Sequence, residues 1–144
     1  MSTRSTGERL IYLVFTAQNR LRMHIRNELV AAGVKITLVQ AGILFLLQQQ
    51  NGQPMSQLSR RLFLDNSTIT GLIDRLERSG FVIRKVNQKD RRSSLIHITR
   101  QGNKEVNKAE TVIHRVNEEI KADFSKEEIE SLKRVLNSLL AKFQ

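Results

Sequence analysis

The chain has 144 residues, with 24 Lys and Arg against 14 Asp and Glu and a net charge of +10. That length fits one domain with appended oligomerisation helices, and the basic balance points to a polyanionic partner, nucleic acid ahead of an anionic membrane surface. An apolar content of 40% with a mean hydropathy of −0.34 allows a buried core and excludes wholesale disorder.

Without cysteine, disulfides, thiolate metal sites and cysteine redox sensing are excluded. No apolar run approaches the roughly 18 residues of a membrane span, and the stretch MSTRSTGERL lacks a secretory apolar core, so a soluble cytoplasmic protein is expected. The charge is uneven. Residues 1–55 carry +4, residues 56–104 carry +7 and residues 105–144 carry −1. The middle third is therefore the expected anion-facing surface.

From Gly7 to about Ala32 the spacing of Leu10, Val14, Ala17, Leu21 and Ile25 predicts a long helix. Its first turns, Ile11 to Phe15, are apolar all round and predict burial on more than one side. Gly33 is a natural stop. A second helix is expected from Thr37 to Gln50 with Leu38, Ala41, Leu44, Phe45 and Leu47 on a broad apolar surface, broken by Asn51-Gly52 and Pro54. A short helix follows from Ser56, read as its N-cap, to Phe63, with Leu58 and Leu62 inward.

Asp65 caps the next helix, whose Ile69, Leu72, Ile73 and Leu76 form a full i, i+3, i+4, i+7 stripe ending at Gly80. The period then changes to that of a hairpin: Phe81 to Val86 and Ser94 to Thr99 as strands, joined by the basic tip Asn87 to Ser93. Thr99 can cap a helix reaching about Asp123, with Val106, Ala109, Ile113, Val116 and Ile120 in a heptad-like stripe. Ser125 and Glu128 form a capping box for a last helix bearing Ile129, Leu132, Leu136, Leu139 and Phe143. Stripes of this length exceed what one small head needs, and a helical dimer interface accounts for them.

Helix, turn, helix and a cationic hairpin, in that order, make a winged helix-turn-helix, and the expected fold class is mainly α (α+β winged helix) with long N- and C-terminal dimerisation helices. The helix after Asp65 can enter the DNA major groove, about 12 Å wide, with Ser67, Thr68, Thr70, Gly71, Asp74, Arg75 and Arg78 off its apolar stripe. Its short hydroxyls can reach base edges or phosphates, and the helix dipole favours phosphate. Gly71 costs about 1 kcal/mol against alanine in mid-helix; either close backbone approach to DNA or crowding against a neighbour would explain it. The tip Lys89-Asp90-Arg91-Arg92 suits a narrow minor groove, where negative potential concentrates. Asp90 can hold Arg92 extended before DNA arrives, lowering the entropy lost on binding.

At these residues the chain resembles the MarR family of bacterial transcription regulators. MSQLSRRLFLDNSTITGLIDRLERSGFVIRKVNQKDRRSSLIHITRQG carries the helix-turn-helix and wing of that family, with Asp90, Arg92, Ile98, Thr99 and Gly102 in its characteristic pattern. Ser59 stands where alanine is common. The resemblance implies a homodimer in which residues 1–35 and 100–144 form a helical dimerisation region and residues 36–99 the DNA-binding region. It implies a palindromic operator on double-stranded DNA, repression, and release by a small aromatic or anionic effector. The DNA-contact residues it implies are Ser56, Gln57, Ser67, Thr68, Thr70, Arg75, Lys89, Asp90, Arg91 and Arg92.

Other readings are weaker. His24, His97 and His114 are scattered, and only His114 has carboxylates at helical spacing, Glu110 and Glu118, so neither a metal nor another cofactor is expected. No nucleophile–base pair, Gly-rich phosphate loop or apolar carboxylate pair suggests an enzyme. A membrane-surface binder would array its cations along one amphipathic helix. Arg84, Tyr12 and His24 could approach an effector crevice, but no residue pattern singles them out.

Overall fold

The structure, a computed structural model, describes residues 9–144. The start of the first helix near Gly7 therefore lies outside the described residues. The elements run α1 (Leu10–Ala31), α2 (Leu38–Gln49), β1 (Gln53–Pro54), α3 (Met55–Leu62), α4 (Asn66–Arg78), β2 (Val82–Val86), β3 (Ser94–Ile98), α5 (Arg100–Ala122) and α6 (Lys126–Lys142). The chain divides into two compact units, one ending at Val112 and the other spanning Ile113–Gln144.

In the first unit the core is built on α2, whose Ala41, Ile43, Leu44 and Leu47 are wholly buried. Around it lie Leu58 of α3, Ile69, Ile73 and Leu76 of α4, Val82 of β2, Ile96 of β3 and Val106 of α5. The apolar stripe of α4 faces inward as its spacing predicts, with Leu72 at the half-buried margin. Leu38 and Phe45 are corrections: each keeps more than a third of its surface exposed, while Ile43 and Leu46 are buried instead. The buried arc of α2 thus runs through 43, 44, 46 and 47, because its neighbours pack on that side.

The capping chemistry follows the sequence closely. Thr37 and Gln40 form a capping box at the start of α2. Asp65 accepts the Thr68 N–H at 2.7 Å and the Ser67 hydroxyl at 2.9 Å. Thr99 accepts the Gly102 N–H at 3.0 Å and donates its own hydroxyl to the Gly80 carbonyl at 2.6 Å, so one side chain joins the ends of two helices. Gly80, at φ 80°, supplies the left-handed turn that ends α4.

Ser56 is not the N-cap of α3. The helix starts one residue earlier, at Met55, with Pro54 as the capping position and no side-chain cap. Proline is pre-set for extended backbone, and here its residue also pairs in the sheet, so the chain turns helical immediately after it. That sheet has three strands rather than two, in the order β1-β3-β2, all antiparallel. Pro54, expected only to break a helix, pairs with Leu95 of β3, and Gln53 before it pairs with Ile96. The wing hairpin runs in register from Val82 opposite Ile98 to Val86 opposite Ser94.

Buried Gln53 fastens this corner, its amide donating to the carbonyls of Leu46 at 2.8 Å and Gln50 at 2.6 Å. Buried Glu105 accepts the Lys35 N–H at 2.6 Å and so ties α5 to the α1–α2 connection. One turn departs from ordinary backbone preference: Phe63, at φ 55°, closes α3 in the left-handed region with its ring exposed.

The second unit holds the end of α5 and all of α6, the latter started by the expected Ser125–Glu128 capping box. No residue of α6 is buried, and Leu132, Val135, Leu136, Leu140 and Phe143 each keep roughly half their surface or more exposed. On α1 the residues Leu10 to Phe15 are likewise exposed, so the burial expected on more than one side of that segment does not occur within a single chain. No helix of the described residues is long and apolar enough to cross a membrane.

Candidate nucleic-acid interface

The helix-turn-helix consists of α3 and α4, and the wing of β2, β3 and the seven-residue tip between them. Ile69, Ile73 and Leu76 of α4 are buried, which leaves Ser67, Thr68, Thr70, Arg75 and Arg78 exposed. Two of the hydroxyls are engaged locally: Ser67 donates to Asp65, and Thr70 donates to the Asn66 carbonyl at 2.8 Å. Their oxygens keep lone pairs for an incoming donor. Hydrogen bonds from Thr68, through hydroxyl and backbone N–H, and from Ser67 hold Asp65 below the usual carboxylate range. Ser56 is exposed and Gln57 half-buried in the first turn of α3. Ser59 is buried, its hydroxyl donating to the Ser56 carbonyl at 3.0 Å.

The wing tip is ordered by its own polar groups. Asn87 and Ser93 close it through a backbone N–H to carbonyl bond of 3.3 Å and a side-chain bond of 3.2 Å. Asn87 also accepts the Lys89 N–H at 3.1 Å, and the Asp90 carbonyl accepts the Ser93 N–H at 3.1 Å. The Asp90 carboxylate accepts the Arg92 N–H at 3.1 Å and stands 3.6 Å from the Arg92 guanidinium Nε. Arg92 is nevertheless 96% exposed, so this pairing orients the side chain without withdrawing it from solvent. Lys89 and Arg91 are exposed beside it.

Sequence reasoning missed the connection between these two parts. Arg84 of β2 donates to Asp74 at 2.5 Å and to Glu77 at 2.8 Å, both on α4. The Asp74 hydrogen bond, together with the charges of Glu77 and Asp74, outweighs partial burial and raises the Arg84 pKa. The bridge pins the wing to α4 and neutralises two of its carboxylates, leaving Arg75 and Arg78 to set the charge of that helix. Arg84 is thereby committed within the wing and α4. The signal in the sequence was an arginine in a strand a few residues after two carboxylates on one helix face, Asp74 and Glu77 being three apart.

His97 of β3 lies against Gly52, where even a Cβ would come within 2.8 Å of the ring. Partial burial, then the charge of Lys85, holds it below its ordinary pKa. Among the described residues no three His, Asp or Glu side chains lie close enough to share a metal ion.

This is the architecture of a winged helix-turn-helix regulator. Residues 36–94 match the model of the MarR family. That match covers the helix-turn-helix and the wing as far as the start of β3.

An uncharacterised helix-turn-helix transcriptional regulator of Bacillus subtilis, YkoM, is 39% identical over 66 residues, 46% of this chain and 43% of that protein. The homoprotocatechuate degradative operon repressor of Escherichia coli is 28% identical over 106 residues, 74% of this chain and 72% of that protein. Coverage of the relatives thus ranges from under half to nearly three quarters.

Among solved structures, the PcaV transcriptional regulator of Streptomyces coelicolor in complex with its natural ligand superposes with a TM-score of 0.88 at 20% identity, covering 100% of both chains. The S. aureus MepR–DNA complex does so with a TM-score of 0.85 at 24% identity, covering 94% of this chain and 98% of that one. At such identities the likeness is one of fold. YkoM, the homoprotocatechuate degradative operon repressor and PcaV are transcription regulators by name.

Proposed function

We propose that the chain is a transcriptional repressor that binds double-stranded DNA as a homodimer, acting in the cytoplasm on a palindromic operator and released by a small aromatic or anionic effector. The observation that carries this reading is the Arg84 bridge, which makes one body of the exposed face of α4 and the cationic wing tip. In it α4 enters the major groove, with Ser67, Thr68, Thr70 and Arg75 at base edges and phosphates. Ser56 and Gln57, in the first turn of α3, contact the adjacent backbone. The tip places Arg92 in the flanking minor groove, oriented by Asp90, with Lys89 and Arg91 on the phosphates.

The exposed apolar faces of α1 and α6 support the dimer, residues 1–35 and 100–144 forming its helical region and residues 36–99 the DNA-binding region. Exposed apolar surfaces of this extent on a monomer mark an interface, and a two-fold dimer pairs with a two-fold operator. Repressors and a ligand-bound regulator among the similar proteins support the repressor and effector parts.

The test is footprinting of purified protein on DNA upstream of its own gene, with and without aromatic acids. A protected inverted repeat, lost on adding an acid, is the expected result. Binding without any preferred site would overturn the reading.

A further inference from the structure

Three glycines lie inside helices of the described residues: Gly42 in α2, Gly71 in α4 and Gly102 in α5. Glycine is the poorest helix former apart from proline, so each needs a reason. At Gly42 a Cβ would touch Leu62 Cδ2 at 3.4 Å, and at Gly102 it would collide with the Phe81 carbonyl oxygen. At Gly42 that is ordinary contact with a side chain, so of these two only Gly102 is set by packing within the chain. At Gly71 a Cβ would meet nothing within 4 Å. Crowding against a protein neighbour therefore does not explain it. Gly71 stands four residues after Ser67 and four before Arg75, both exposed, so it sits midway along the row they form on α4.

We propose that Gly71 is a specificity-determining position of this helix. The space its missing Cβ leaves open is taken by the edge of a base pair, which lets the α4 backbone lie deep enough for Ser67 and Arg75 to reach their partners. The proposal rests on the DNA-reading function above and adds to it a residue recognised by absence rather than by a donor or acceptor.

The experiment compares wild type, Gly71→Ala and Gly71→Leu on two probes: a duplex that the wild-type protein selects from a random-sequence pool, and a shuffled duplex of the same composition. Both substitutions improve helix propensity, so Tm rises, by about 4 °C for alanine. Affinity for the selected duplex should fall about tenfold with alanine and further with leucine. Affinity for the shuffled duplex, set by phosphate contacts, should stay unchanged. Unchanged binding of the selected duplex by both variants would overturn the proposal while leaving the DNA-reading function intact. An equal loss on both probes would also overturn it, because the effect would not be on sequence reading. Failure of the wild type to enrich any duplex would remove the DNA-reading function itself, and the proposal with it.

Discussion

Asp90 and Arg92 sit two residues apart at a solvent-exposed tip, and a pairing so local follows from chain geometry alone. The carboxylate fixes the backbone of Arg92 through a 3.1 Å hydrogen bond while the guanidinium stays in solvent. In the proposed complex Arg92→Ala therefore removes a DNA contact without removing a folding contact. Its Tm should stay within about 1–2 °C of wild type, as for other surface substitutions, while operator affinity drops at least about tenfold in fluorescence anisotropy. Tight binding by that variant would exclude the minor-groove role of Arg92. Arg84 is the contrasting residue: its partners lie seven and ten positions back on another element, and only the fold brings them together. Arg84→Gln should destabilise the protein by about 1 kcal/mol in urea titrations, a modest loss because Asp74 and Glu77 are themselves partly exposed. It should weaken DNA binding by more than that stability loss accounts for.

At the scale of elements, helices with strong stripes and polar caps were legible from residue pattern. Asp65, Thr99 and the Ser125–Glu128 box act where their spacing places them, because a cap is satisfied by backbone within three or four residues. Strand β1 was not legible: two residues carry no period, and their hydrogen-bond partners lie in β3, more than forty positions away. Ser56 lost the capping role for the same reason, since the pairing of Pro54 set the start of α3 one residue earlier.

The corner formed by β1 and β3 has a consequence for pH. His97, packed on Gly52 at that corner, titrates in the folded protein below its ordinary pKa near 6.5. The unfolded chain thus binds a proton more readily, and stability rises with pH across this range. It is fully present above about pH 7 and is lost as pH falls through 6.5 toward the lower, folded pKa. Urea midpoints measured at intervals across this window should decline toward acid in wild type and decline less in His97→Gln. Parallel curves would remove His97 from that role.

For the whole molecule, charge and apolar surface divide the labour. Residues 56–104 carry +7, and in the structure that stretch is the helix-turn-helix, the wing and the first turn of α5. DNA affinity should fall steeply with ionic strength, the slope of log K against log salt approaching about −0.9 per phosphate neutralised. A flat dependence would leave the basic surface without its proposed partner. What a single chain could not reveal from its stripes is which of them it buries itself: the α5 stripe is buried at Val106, Ala109 and Val116, whereas α1 and α6 leave theirs exposed. Wild type should sediment as a dimer in sedimentation velocity, and Leu136→Glu in α6 should yield monomers. A variant that stays dimeric would place the interface elsewhere.

The bridge from Arg84 to Asp74 and Glu77 also sets a length. With the wing fastened to α4, the distance between that helix and the arginine at the tip is a property of the protein, and in the proposed complex the double helix must supply two features at that same separation. One base pair inserted between them within a half-site shifts the second feature by about 3.4 Å and turns it by roughly 35°. A loose wing could follow such a shift. A braced one works like a calliper set to one gauge, rejecting the altered half-site although every base it touches in either groove is still present.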